Sequence, residues 1–161
     1  MNGNAIRGVL YCITLWSRAY RAHTTGYGIN GLVLSGNSCR VNQLSYTSGA
    51  GVSSTTGITV DPGATVPLAN LNITNNVVVF DLEQSSRAGN TASIGIGWWS
   101  VNNQTATNVS IENNIIDNAP VAGIRIAVGS AVGLEIRGNT VRNARSSLDP
   151  SVTRGTRRPW W

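Results

Sequence analysis

The chain has 161 residues, 41% of them hydrophobic and only 12% charged, and arginine supplies every basic side chain behind its net charge of +5. That length suits one domain, and a composition rich in β-branched residues, Asn, Gly, Ser and Thr, with hardly any amphipathic helical pattern, points to an all-β chain. One histidine, His23, and two cysteines without ligand spacing exclude a His/Cys metal cluster.

Residues 1–25 read as an N-terminal cap or short strand segment. Within them, residues 6–16 (IRGVLYCITLW) are apolar apart from Arg7, Gly8 and Thr14. One Arg is a thin basic region for a signal peptide and no convincing small-residue cleavage site follows, while the stretch is too short to span a membrane. Val9, Tyr11, Ile13 and Leu15 alternate with Leu10, Cys12, Thr14 and Trp16, which suits a strand or short helix covering the start of the fold.

Residues 26–145 carry a repeat. Four segments superpose on one asparagine: GLVLSGNSCRV, NLNITNNVVVF, NVSIENNIID and GLEIRGNTVRN, with Asn37, Asn76, Asn114 and Asn139 in the shared position. Before each Asn lies an apolar pair at i, i+2 (Leu32 and Leu34, Leu71 and Ile73, Val109 and Ile111, Leu134 and Ile136), so both members face one side of an extended strand. After it, Cys39, Val78, Ile116 and Val141 resume the inward position. The Asn therefore marks a corner, where its tolerance of left-handed backbone angles and its amide suit a ladder stacked from copy to copy. Cys39 thus reads as an apolar core residue and Cys12 belongs to the N-terminal segment, so no disulfide is implied.

A second apolar pair follows in each copy: Ile58 and Val60, Ile94 and Ile96, Ile124 and Ile126. The Asn-to-Asn steps of 39, 38 and 25 residues suit a coil of roughly 22–25 residues with insertions in the earlier copies. No copy has enough apolar residues for its own core, and stacking supplies one. The expected fold is a right-handed parallel β-helix of about four coils with an Asn corner ladder. Residues 146–161 form an Arg/Trp-rich tail, read as a solvated end rather than a nucleic-acid site.

The stretch NVSIENNIIDNAPVAGIRIAVGSAVGLEIRGNTVRNA (108–144) resembles the repeats of the pectate-lyase-like superfamily, which includes pectate lyases, polygalacturonases and phage tailspikes. The resemblance implies a polysaccharide partner, extracellular or virion-associated placement, and calcium as a cofactor in some members; no membrane partner is expected, because the apolar N-terminal stretch is too short. It also makes the Asn corner the turn between the second and third sheets, so the Ile124-type strands belong to the first sheet, where substrate clefts of the family lie. The paired-Asp and Gly-His-Gly motifs of polygalacturonases are absent, and calcium ligands are not recognisable.

On that first-sheet face Thr59, Gly95 and Arg125 are expected to stack, with Trp98 and Trp99 at the end of one strand and Asp81, Glu83 and Arg87 at its beginning. Aromatic faces suit sugar rings and a guanidinium suits a uronate carboxylate. The candidate catalytic residues are Arg125 as base or uronate clamp with Asp81, Glu83 and Asp117 as acidic partners; the candidate substrate contacts are Trp98, Trp99, Thr59 and Arg87. Elsewhere Glu112 beside Arg137, and Asp117 beside Arg142, read as structural cross-strand ion pairs. The expected function is a carbohydrate-active or carbohydrate-binding β-helix. The alternatives are a non-catalytic adhesin or tailspike-like module, or a fragment of a longer β-helix enzyme, with self-association through open solenoid ends.

Overall fold

A computed structural model describes residues 1–9, 11–16, 29–41, 47–48, 51–52, 56–61, 68–81, 94–99, 105–119, 121–144 and 146–152. Three parallel sheets run side by side through them. The third sheet stacks β1 (Ala5–Val9), β5 (Ser38–Val41), β10 (Val77–Phe80), β13 (Ile115–Asp117) and β16 (Thr140–Arg142). The first sheet stacks β2 (Tyr11–Trp16), β8 (Thr56–Asp61), β11 (Ile94–Trp99), β14 (Ala122–Val128) and β17 (Ser146–Val152). In the second sheet β3 (Ile29–Asn30) and β4 (Val33–Ser35) both lie along β9 (Leu68–Thr74), followed by β12 (Thr105–Glu112) and β15 (Ser130–Arg137). A separate antiparallel pair joins β6 (Thr47–Ser48) to β7 (Gly51–Val52). The main chain visits third, first and second sheet in turn, and each strand pairs with its counterpart one coil on. This is the expected parallel β-helix, and its first coil already begins at β1.

Apolar rows run along the axis inside it. Leu34, Ile73, Ile111 and Ile136 are in register, as are Ile13, Ile58, Ile96 and Ile124. A third row joins Ile6, Cys39, Val78, Ile116 and Val141. The middle members of these rows are buried, each contributing about 1.5–3 kcal/mol by removal from water. Members at the two ends, Ile6, Ile136 and Val141, are only half-buried.

The corner ladder exists and has five members rather than four. Asn4 donates to the Asn37 side-chain oxygen, Asn37 to that of Asn76, Asn76 to Asn114 and Asn114 to Asn139. In each step the backbone N–H and the side-chain amide of one Asn converge on the oxygen of the next. Asn37, Asn76 and Asn114 are fully enclosed. The left-handed turn, however, is made by the residue before: Gly3, Gly36, Asn75, Asn113 and Gly138 have positive φ. That division of labour lets the ladder Asn keep its side chain pointed inward while its neighbour reverses the chain.

One further row decides side-chain size. A Cβ added to Gly57 lies 2.5 Å from the carbonyl oxygen of Gly95 and still closer to a Val78 methyl; at Gly95 it lies 2.6 Å from the oxygen of Gly123 and against Ile116. Tyr11 and Ile13 are in register with Thr56 and Ile58, so Cys12 holds the corresponding place in the first coil. There the same diagonal, from the first sheet to the third sheet one coil on, is a covalent bond: Cys12 and Cys39 form a disulfide with a Cα–Cα distance of 5.8 Å. This corrects the expectation of two unlinked cysteines. Val78 and Ile116 approach a glycine, whereas in the row's first diagonal two short, covalently joined cysteine side chains share the same gap.

Candidate functional site

The first-sheet face differs from the expected one by a slip of two residues. Thr59 and Arg125 both pair with Gly97, not Gly95, while Ile94 pairs with Thr56 and Ala122. The sequence Ile-Gly-Ile-Gly reads the same after a two-residue shift, and such a shift keeps every side chain on its own face, so periodicity alone does not fix the register. Trp98 consequently falls in register with Val60 and Ile126, both core residues, and Trp99 with Ala127. Thr59 is only 6% exposed and donates to the Thr56 hydroxyl. Gly97 is buried as well, and Arg125, half-buried, lies in register with Asp149 of the last first-sheet strand.

The acidic candidates sit elsewhere. Asp81 follows β10 on the third-sheet side and accepts from Arg40 Nε at 3.0 Å. Asp117 ends β13 in the same sheet, where its carboxylate accepts from the Asn143 amide at 3.0 Å. Arg142 is in register beside it as expected, yet among the described residues it makes no ion pair. Asn143, with φ of 53°, turns its amide onto the carboxylate in its place. Arg125 and Thr59 thus lie on one sheet and Asp81 and Asp117 on another. Glu83, Arg87 and His23 fall outside the described residues.

Among the described residues, the second-sheet face holds a cluster of two carboxylates on one guanidinium. Glu112 accepts from Arg137 Nε at 3.1 Å, the expected ion pair, and Glu135 lies 3.6 Å from the same guanidinium. The Ser110 hydroxyl donates to Glu112 as well. That hydroxyl first, and Arg137 second, hold the Glu112 carboxyl below its ordinary range, while Glu112 raises the affinity of Arg137 for its proton. Glu135 is in register with Ser110, and Ser110 with Asn72, in one polar row.

The third-sheet face presents two regular outward rows. One runs Ala5, Ser38, Val77, Ile115, Thr140; the other Arg7, Arg40, Val79, Asp117, Arg142. Ser38, Ile115, Thr140 and all three arginines are exposed. Arg7 and Arg40 stand on adjacent strands about 4.8 Å apart, an unfavourable juxtaposition of like charge. Asp81 answers Arg40, while Arg7, like Arg142, makes no ion pair among the described residues. Reading the repeat from Asn37 onward missed this row's first member, just as it missed Asn4. The signal was present: Gly3-Asn4 shares its Gly/Asn-Asn doublet with Gly36-Asn37, Asn75-Asn76, Asn113-Asn114 and Gly138-Asn139.

The carboxylates that the described strands bring together are locked onto a guanidinium, and no group of three or more His, Cys, Asp or Glu among the described residues could hold a metal ion. No protein-family model, curated protein or solved structure matches the chain.

Proposed function

We propose that this chain is a carbohydrate-binding parallel β-helix of the pectate-lyase-like superfamily, which holds an acidic polysaccharide on its third-sheet face. The observation that carries the reading is that Arg7, Arg40 and Arg142, all exposed, fall in one outward row with Val79 and Asp117 between the last two, beside a second row of Ser38, Val77, Ile115 and Thr140. Guanidinium groups bind a uronate carboxylate through two parallel hydrogen bonds, and the hydroxyl and aliphatic side chains beside them offer contacts to sugar hydroxyls and ring faces. Binding without cleavage is favoured because Glu112 is held ionised, the opposite of what a general acid requires, and because Asp81 and Asp117 are engaged by Arg40 and Asn143. The Cys12–Cys39 bond supports a working place in an oxidising compartment.

The test is retention on immobilised polygalacturonate and on its methyl ester. The wild-type chain should be retained by the acid form alone, and the Arg7→Gln/Arg40→Gln/Arg142→Gln variant should elute freely with an unchanged melting temperature. Equal retention on duplex DNA would replace the reading with generic polyanion binding, and release of soluble sugar fragments would make the protein an enzyme. No retention on either polysaccharide would leave the tailspike-like structural module as the better description.

A further inference from the structure

The Asn ladder has a direction, and it is unfinished at both ends. Every side-chain oxygen from Asn37 to Asn139 accepts two N–H groups from the Asn one coil earlier. Asn139 donates one amide proton to the Ile111 carbonyl, but among the described residues its backbone N–H and remaining amide proton meet no acceptor. It is half-exposed where Asn76 and Asn114 are sealed. At the opposite end the Asn4 side-chain oxygen receives no donor among the described residues, and Asn4 is exposed. What one end lacks, the other end offers.

We propose that the last coil is a docking surface for the first coil of a second copy, joined head to tail so that Asn139 of one chain donates to Asn4 of the next. The inference is independent of the glycan reading. The sheet edges agree with it, since β16 and β17 bound one end of the third and first sheets, β1 and β2 bound the other, and all run parallel. Continuing the rows places Thr140 beside Ala5, Val141 beside Ile6 and Leu148 in register with Ile13. Val141 and Ile6, half-buried in the single chain, become interior. The contact uses two different surfaces and does not close, so it propagates as a filament.

The same rows hold the assembly in check. Continuation puts Arg142 directly beside Arg7, like charge on like charge, and places Pro150, which has no N–H to offer, on the first-sheet edge that must pair. Docking is therefore weak at low ionic strength and strengthens as salt screens the arginines.

Sedimentation velocity on the full chain, over a concentration series in low and high salt, tests this without any substitution: the wild type should shift to larger, open-ended species in high salt. Arg7→Glu and Arg142→Glu, both at exposed positions, should each self-associate roughly tenfold more tightly than wild type in low salt, because repulsion becomes attraction. Salt should weaken those single variants, and the double reversal should return to wild-type behaviour. Single variants indistinguishable from wild type, a double variant that behaves like the singles, or assembly that stops at a closed dimer would overturn the proposal.

Discussion

Replacing Asn76 by leucine isolates what the corner ladder contributes. The Asn76 amide donates to the Leu34 carbonyl at 3.0 Å and to the Asn114 oxygen at 3.0 Å, and its own oxygen accepts from the Asn37 backbone at 3.0 Å and the Asn37 amide at 2.9 Å. Leucine has similar bulk and none of these groups. It leaves the Asn37 N–H and one Asn37 amide proton without their acceptor, and removes one hydrogen bond from the Leu34 carbonyl, in a corner where Asn76 is 0% exposed. At about 1–3 kcal/mol for each buried polar group left unpaired, and allowing for relaxation, the loss comes to about 3–6 kcal/mol. That is a large share of the roughly 5–15 kcal/mol that holds a domain folded. Asn139→Leu removes the equivalent bonds from the Asn114 N–H, an Asn114 amide proton and the Ile111 carbonyl, but it does so at the half-exposed end of the ladder, where the last coil can shift to admit water. Its cost should be about 1–2 kcal/mol. Urea unfolding of both variants, compared at equal denaturant dependence, measures the difference. Equal losses at the two positions, or a loss below about 1 kcal/mol at Asn76, would show that the ladder is not a dry, cooperative element.

The Cys12–Cys39 bond closes a separation of 27 residues, so Cys12→Ser/Cys39→Ser or a thiol reductant should lower stability by about 3–4 kcal/mol, read as a shift of the urea midpoint; an unchanged midpoint would mean the bond does not form in solution. Gly95→Ala forces a methyl against the Gly123 carbonyl oxygen and Ile116, and since backbone cannot swing aside as a side chain does, it should cost about 2–3 kcal/mol; a melting temperature equal to wild type would refute the close approach. Glu112 is held below its usual value near 4.5, so its contribution to stability is complete above that pH and is lost as pH falls through the lowered value. Glu112→Gln should therefore flatten the acid limb of the stability profile below about pH 4.5 and leave the limb above neutrality untouched, which thermal melts across pH will show.

Periodicity alone determined the all-β class, the inward rows around Leu34, Ile73, Ile111 and Ile136, the stacked Asn corner and the Glu112–Arg137 pair. These depend on local alternation and on one repeating landmark, so the linear chain already displays them. Three things needed the tertiary structure. The register of β11 did, because Ile-Gly-Ile-Gly is invariant to a two-residue slip and only its pairing with Thr59 and Arg125 through Gly97 chooses between the alternatives. So did the disulfide, because Cys12 and Cys39 lie in different sheets and neighbouring coils and meet only on a diagonal that spacing does not reveal. The third was the grouping of charged residues by face. Arg125, grouped with Asp81 and Asp117 by the sequence, lies on the first sheet while both carboxylates lie on the third-sheet side, whereas Arg7, Arg40 and Arg142, far apart in the chain, were brought into one row by the coil repeat. A solenoid sequence fixes which side of a strand a residue faces; the number of residues spent in each loop decides which residues become its neighbours along the axis.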